Sequence, residues 1–189
     1  TWPSWPELKG QTIVVIVAML CALALIALAS LFTRRVAGPG AALLAALLVA
    51  ALPDVLAHGG VAYNDLPMAL ALFAAVWAMD AAVRRPCWRS AVVAGALIGI
   101  AAGVKNSAVA LAPIGVILLS WEALARPRDV AWRKAVGAAA LVTVAVAYLT
   151  LVVVYRGDVL LAEYRSGLRW AFGHTHEMRV PAYLPGQRS

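Results

Sequence analysis

Charge is scarce in this chain. Only 13% of its 189 residues are Asp, Glu, Lys or Arg and 63% are hydrophobic, against roughly 25% and 45–50% in a soluble domain. That balance excludes an ordinary water-soluble fold and marks an integral membrane protein. Cysteine is nearly missing. Cys21 lies inside an apolar run and Cys87 in a basic connection, so the two cannot build a disulfide framework. Also missing are G-x-x-x-x-G-K-[ST], C-x-x-C, H-E-x-x-H and G-x-S-x-G, which leaves nucleotide hydrolysis, thiol redox chemistry and the commoner hydrolases without support. No internal repeat of fixed period is present. The opening TWPSWPELKG has no initiating methionine, charged n-region or cleavage site, so no signal peptide is expected. Together with the abrupt end LPGQRS, it suggests a segment of a longer protein.

What the chain has in plenty is long apolar runs. A helix needs about 20 mostly apolar residues to cross ~30 Å of hydrocarbon, and such runs occupy 11 to 33, 41 to 57, 66 to 83, 90 to 104, 107 to 124 and 135 to 155. The expected fold is all-α, a polytopic transmembrane bundle of about six spans. Residues 90 to 124 read either as one long helix or as two that turn at Lys105 and Asn106. The hairpin is preferred, because a lysine in mid-bilayer costs about 2.5–3.5 kcal/mol on insertion scales.

Charge then sets the topology. Arg34, Arg35, Arg84, Arg85, Arg89, Arg126, Arg128, Arg133 and Lys134 are nine of the sixteen basic residues, and all fall in alternate connections, which the positive-inside rule places in the cytoplasm. The other connections hold Asp54, His58, Asp65 and Lys105 and face outward. Asp80 with Arg84, and Glu122 with Arg126, have the i,i+4 spacing of helix-end ion pairs. The net charge of +7 does not point to nucleic acid. Its basic turns suit anionic lipid headgroups.

Three units follow: an outer lead-in (1–10), a bundle of hairpins (11–155), and an outer-side amphipathic helix and loop (156–189). Trp2 and Trp5 stand where an aromatic belt would lie. Gly95, Gly99 and Gly103 form a flat helix face for close packing, and Pro113 is expected to kink the fifth span. In the C-terminal unit, Leu160, Leu161, Tyr164, Leu168 and Trp170 to Phe172 recur at roughly helical spacing, as in a helix lying on a membrane surface.

The polar residues of the outer rim are the candidates for chemistry: His58, Tyr63, Asn64 and Asp65 from one loop, Lys105 and Asn106 from the next, and His174, His176 and Glu177 from the tail. A carboxylate here can take a proton from a hydroxyl, a lysine can hold a phosphate as a point charge, and histidines can ligate a divalent ion. Structural duties account for the same residues. Asn64 or Asp65 can cap a helix whose first turn holds Pro67, Lys105 can snorkel to the interface, and His58 can bond a loop carbonyl.

The stretch from Arg34 to Met79, followed by RSAVVAGALIGIAAGVKNSAVALAPIGVILL, resembles the membrane core of GT-C type glycosyltransferases, the protein O-mannosyltransferases and aminoarabinose transferases of lipid A among them. The shared pattern is a proline-ended helix (Pro53), an outer loop with a His and a D-x-P (His58, Asp65, Pro67), a glycine-ridged helix leading to a lysine (Gly95 to Gly103, Lys105) and an apolar helix with a proline (Pro113). A tail of His followed by Tyr-Leu-x-Gly (His176, Tyr183, Leu184, Gly186) resembles the family's outer loop. The resemblance implies a transferase that moves a sugar from a polyprenyl-phosphate donor to a protein, lipid or glycan acceptor outside the cytoplasm, in the bacterial inner (plasma) membrane. It implies a catalytic role for Asp65, with His58 and Asn64 beside it. Substrate contacts would come from Lys105, Tyr63, Asn106, His176 and Tyr183, with Lys105 near the donor phosphate, and a divalent metal cofactor would be held by His174, His176 and Glu177. The family's principal catalytic acid lies in a long outer loop that is expected upstream of Thr1. Two other readings stay open, a transporter or permease segment and a non-catalytic membrane scaffold.

Overall fold

The structure, a computed structural model, describes residues 5–59, 64–125 and 130–174, with side chains described for 10, 12–59, 64–124 and 130–173. Trp2, Tyr63, Arg126, Arg128, His176, Glu177 and Tyr183 therefore lie outside the described residues, as do the side chains of Trp5 and His174. The elements are α1 (Trp5–Ala50), α2 (Pro53–Gly59), α3 (Asp65–Arg84), α4 (Trp88–Val104), a 3-10 turn (Asn106–Ala110), α5 (Leu111–Ala125), α6 (Val130–Val154) and α7 (Ala162–His174). The described residues contain no strand. All six apolar runs are largely helical, the second broken at Ala51 and Leu52, and the protein is an all-helical membrane bundle.

Four helical stretches are long and apolar enough to cross a membrane: Thr12–Ala50, Asp65–Arg84, Asn106–Leu124 and Val130–Val154. At 17 residues α4 is shorter. The first two apolar runs share α1, which is not one rod. Gly38 has φ 88° and ψ 179°, a conformation open to glycine but strained for other residues, and Pro39 restarts the helix with its φ already set. Ala22, Leu25, Val55 and Leu66 form one packed cluster. A straight helix at 1.5 Å per residue would hold Leu25 and Val55 roughly 45 Å apart, so the chain folds back on itself at Gly38. The returning arm ends at Ala50, earlier than expected. Pro53 cannot donate to a helical carbonyl and disfavours helical backbone at Leu52, and Leu52 N–H instead donates to Val49 C=O at 3.3 Å.

Packing fixes the relative directions of the helices. Phe32 meets Phe73 and Trp77 edge-on at 5.7 and 5.5 Å, and the Arg35 guanidinium stacks over Trp77 at 4.9 Å. With Leu25 against Leu66, the first arm of α1 therefore runs parallel to α3. The glycine ridge of α4 packs on α6. A β-carbon on Gly95 would stand 2.5 Å from the Thr143 carbonyl, and one on Gly103 would stand 2.8 Å from Val154, so α4 and α6 are parallel. In a second cluster Ala101 and Ala102 of α4 and Leu111 of α5 pack with Met68, Ala71 and Ala75 of α3. Further along, Gly115 of α5 lies against Met79, so α5 is parallel to α3 and antiparallel to α4. Residues 90 to 124 are thus two helices.

These directions gather Asp65, Lys105, Asn106 and Tyr155 at one end of the bundle, and Arg35, Asp80, Arg84, Cys87 and Glu122 at the other. At the second end Arg84 Nε donates to both carboxylate oxygens of Asp80 at 2.8 and 2.9 Å, the expected i,i+4 pair. Glu122 is buried within electrostatic reach of Arg84. The pairing expected between Glu122 and Arg126 involves a residue outside the described set.

The described part of the lead-in is helical from Trp5, with Pro6 in the first turn. Two expectations need correction. Pro113 does not kink a helix, because α5 begins at Leu111 and the proline falls in its first turn, where the missing N–H has no intrahelical partner to lose. In α7 the inward stripe is Tyr164, Gly167, Leu168 and Ala171, continued from Leu161 just before it, while Leu160, Trp170 and Phe172 are exposed. Leu160 precedes the helix, and Trp170 and Phe172 sit about 100° to either side of Ala171.

Candidate active site

The site forms where four helix ends converge. Asp65 is the first residue of α3, and its neighbours Leu66 and Met68 are both buried, so the start of the helix is pinned and the carboxylate projects from a fixed base. Asn64 holds the N-cap position but makes no side-chain cap hydrogen bond. The capping duty expected of Asn64 or Asp65 is therefore not performed by a side chain, because the Asp65 carboxylate turns toward another helix.

Its partner is Lys105. Helix α4 stops at Val104 because Lys105 is extended, at φ −159° and ψ 141°, and the next residues form the 3-10 turn that reverses the chain. Lys105 Nζ lies 2.7 Å from Asp65 Oδ1, with the side chains 46% and 38% exposed respectively. Both groups are thus reachable from water or a headgroup layer, and the lysine does more than snorkel. His58, in the last turn of α2, lies within electrostatic range of Asp65. The positive end of the α3 dipole also favours an anion at this position.

Asn106 opens the 3-10 turn and is half-buried beneath α7. A β-carbon on Gly167 would stand 2.8 Å from Asn106 Nδ2, so α7 lies directly over this turn. Helix α7 is launched by Asp158, whose carboxylate accepts from the N–H groups of Leu160 at 3.0 Å and Ala162 at 2.7 Å. Left-handed backbone at Arg156, Gly157 and Leu161 bends the chain back over the bundle end. Tyr164 of α7 meets Tyr155 edge-on at 5.9 Å, and burial pushes its phenol pKa above the ordinary value.

Tyr164 also closes one end of an apolar cavity of about 390 Å³. The cavity runs down the bundle between α5 and α6, with α3 and α4 as its floor, from Tyr164, Ala108 and Leu151 to Met79, Val83 and Leu119. Small residues such as Ala102, Ala112, Gly115 and Ala140 keep it open, and α5 and α6 scarcely touch each other. It is a slot whose upper end lies at the turn that carries Lys105 and Asn106.

Of the residues singled out from sequence, the structure brings Asp65, Lys105, Asn106 and His58 to one end of the bundle. Asn64 is exposed beside them. Tyr63, His176, Glu177 and Tyr183 lie outside the described residues. His174 ends α7, its side chain outside the described set. Among the described residues no three His, Cys, Asp or Glu side chains are placed to hold a metal ion. Sequence reasoning missed Tyr164 and the slot. The signal for Tyr164 was its place on the apolar stripe of α7, but nothing in a single sequence shows that two helices stand apart.

A family model described as dolichyl-phosphate-mannose-protein mannosyltransferase matches residues 8–155, from α1 through the end of α6 and Tyr155. No curated protein and no solved structure matches the chain.

Proposed function

The chain belongs to the dolichyl-phosphate-mannose-protein mannosyltransferase family, a GT-C type of membrane glycosyltransferase, and from that premise we propose that it forms the donor-holding part of a transferase using a polyprenyl-phosphate-linked sugar. The observation that carries this reading is the apolar slot whose upper end, at Ala108 and Tyr164, lies at the turn that follows Lys105. An isoprenoid chain needs an apolar path open to lipid, and its phosphate needs a cation at the interface. The slot between α5 and α6 supplies the first and Lys105 the second.

In this reading the acceptor hydroxyl attacks the anomeric carbon of the sugar while the bond from that carbon to the phosphate oxygen breaks. The polyprenyl phosphate leaves with the bonding electrons, and the Lys105 ammonium stabilises the charge that develops there. The hydroxyl proton passes to a carboxylate, and Asp65 is the candidate on this chain. Asn106, held under α7, and His58 orient the sugar and the carboxylate. Tyr63, Asn64, His176 and Tyr183 complete the substrate contacts, and His174, His176 and Glu177 remain the candidate ligands of a divalent ion. The site faces the non-cytoplasmic side, since the basic residues at the Arg84 end suit the cytoplasmic face. The acceptor is a protein, lipid or glycan hydroxyl. A transport path would instead place ionisable groups in broken helices near the midplane, whereas Asp65 and Lys105 stand at helix ends.

The deciding experiment measures sugar transfer from a polyprenyl-phosphate sugar by the full-length protein in lipid nanodiscs, native against Lys105→Ala. A lysine variant that saturates with donor as the native protein does would overturn the assignment of the phosphate to Lys105.

A further inference from the structure

We infer that the Asp65 carboxylate is a built-in competitor for the donor's phosphate: at rest it occupies the place on Lys105 that the phosphate takes, and donor binding releases it. The inference rests on the proposed function and adds a regulation of the same site.

The geometry makes the exchange simple. Lys105 is the mobile partner. It stands in extended backbone between α4 and the 3-10 turn, at the end of a flexible four-carbon stem, and its ammonium is a point charge with three donors and no fixed fork to match. Asp65 is the fixed one, seated at the first position of α3 just before the buried Leu66 and Met68. Only Oδ1 of the carboxylate receives the lysine, at 2.7 Å. The pair is nearly half exposed, and exposed pairs are held weakly.

The donor's phosphate is a diester, joined to both the sugar and the polyprenol, and carries one negative charge as the carboxylate does, so charge alone leaves the two matched for the ammonium. Seating of the isoprenoid in the slot holds the phosphate at this end of the bundle and decides the direction, and the polyprenyl phosphate left after transfer, a monoester, carries up to twice the charge. The carboxylate is not stranded when the lysine leaves, because it stays part-exposed at the positive N-terminal end of α3. The ion pair thus keeps both groups occupied until a phosphate arrives, and then delivers a carboxylate free to accept a proton. The same competition weakens the hold on the spent polyprenyl phosphate and assists its release.

The test measures equilibrium binding of polyprenyl phosphate, with polyprenol as the probe lacking phosphate, to the full-length protein in nanodiscs. Asp65→Asn is expected to bind polyprenyl phosphate about two- to fivefold more tightly than the native protein, a range set by the modest strength of exposed ion pairs. Its affinity for polyprenol is expected to stay unchanged. Asp65→Glu, which keeps a competing charge, is expected to bind as the native protein does, and Asp65→Asn combined with Lys105→Ala no more tightly than Lys105→Ala alone. If Asp65→Asn binds polyprenyl phosphate no more tightly while Lys105→Ala loses affinity, the exchange is wrong and the phosphate site stands. If Lys105→Ala binds it as tightly as the native protein, both the exchange and the proposed phosphate site are wrong. Equal tightening toward polyprenol would also overturn the exchange, because the effect would not involve the phosphate.

Discussion

Gly167 of α7 and Asn106 of the 3-10 turn meet so closely that a β-carbon on the glycine would stand 2.8 Å from the Asn106 amide nitrogen. This contact sets α7 over the turn that holds Lys105, and it allows the role of α7 to be tested without touching a charged group.

Gly167→Ala should force the Asn106 amide to turn away. That amide is the end of a flexible side chain, so the thermal midpoint should scarcely move. Sugar transfer should fall about tenfold, as displacement of a positioning group by an ångström can cost more than that. Unchanged transfer would place Asn106 outside the substrate's reach.

Asp65→Asn should lower transfer by about two orders of magnitude, the lower range for loss of a general base. Because the side chain is part-exposed and not needed as a cap, expression and membrane insertion should match those of the native protein. Transfer assays on membranes with equal amounts of both proteins check this.

Lys105→Ala should raise the donor concentration for half-saturation about tenfold or more, and Lys105→Arg should recover part of the loss by keeping the charge in a different shape. Initial rates over a donor series give both values.

How much of this was legible in the sequence can be judged residue by residue. The turn at Lys105 was readable because a lysine inside an apolar run has only one inexpensive place to go. The glycine ridge was readable as a packing face, although its partner, α6, was not, since spacing describes one helix and not its neighbour. Asp65 and Lys105 were both singled out, but their pairing was not foreseen. It depends on a rotation of α3 about its axis that only the burial of Leu66 and Met68 fixes. The slot was invisible, because its lining of alanine, valine and leucine is of the same kind as the lipid-facing surface.

Gly99→Val should separate α4 from α6. A β-carbon at Gly99 would already lie 2.5 Å from Thr150 Cβ and 2.7 Å from the Ala147 carbonyl, and the latter is backbone that cannot swing aside. A destabilisation of about 1–3 kcal/mol is expected from such overpacking, read as a lower thermal midpoint in detergent.

Cys87 reports on sidedness. Its thiol shares a hydrogen bond with the Ser90 hydroxyl and accepts one from the Ser90 N–H, which hold its pKa below the ordinary value, with a lesser contribution from Arg89. The thiolate fraction at pH 7 is therefore raised, and maleimide labelling should outpace that of an ordinary exposed cysteine and persist to lower pH. Ser90→Ala should slow it. In sealed, right-side-out vesicles Cys87 should be protected and a cysteine placed at Asp54 should label. The reverse pattern would invert the proposed orientation.

Because the slot is walled by α5 and α6 yet left ajar between them, the isoprenoid proposed to fill it would exchange sideways with the surrounding bilayer without first crossing water. Saturation would then follow the mole fraction of the isoprenoid within its leaflet. Diluting the membrane with inert lipid should lower turnover even when the bulk amount of donor is held constant.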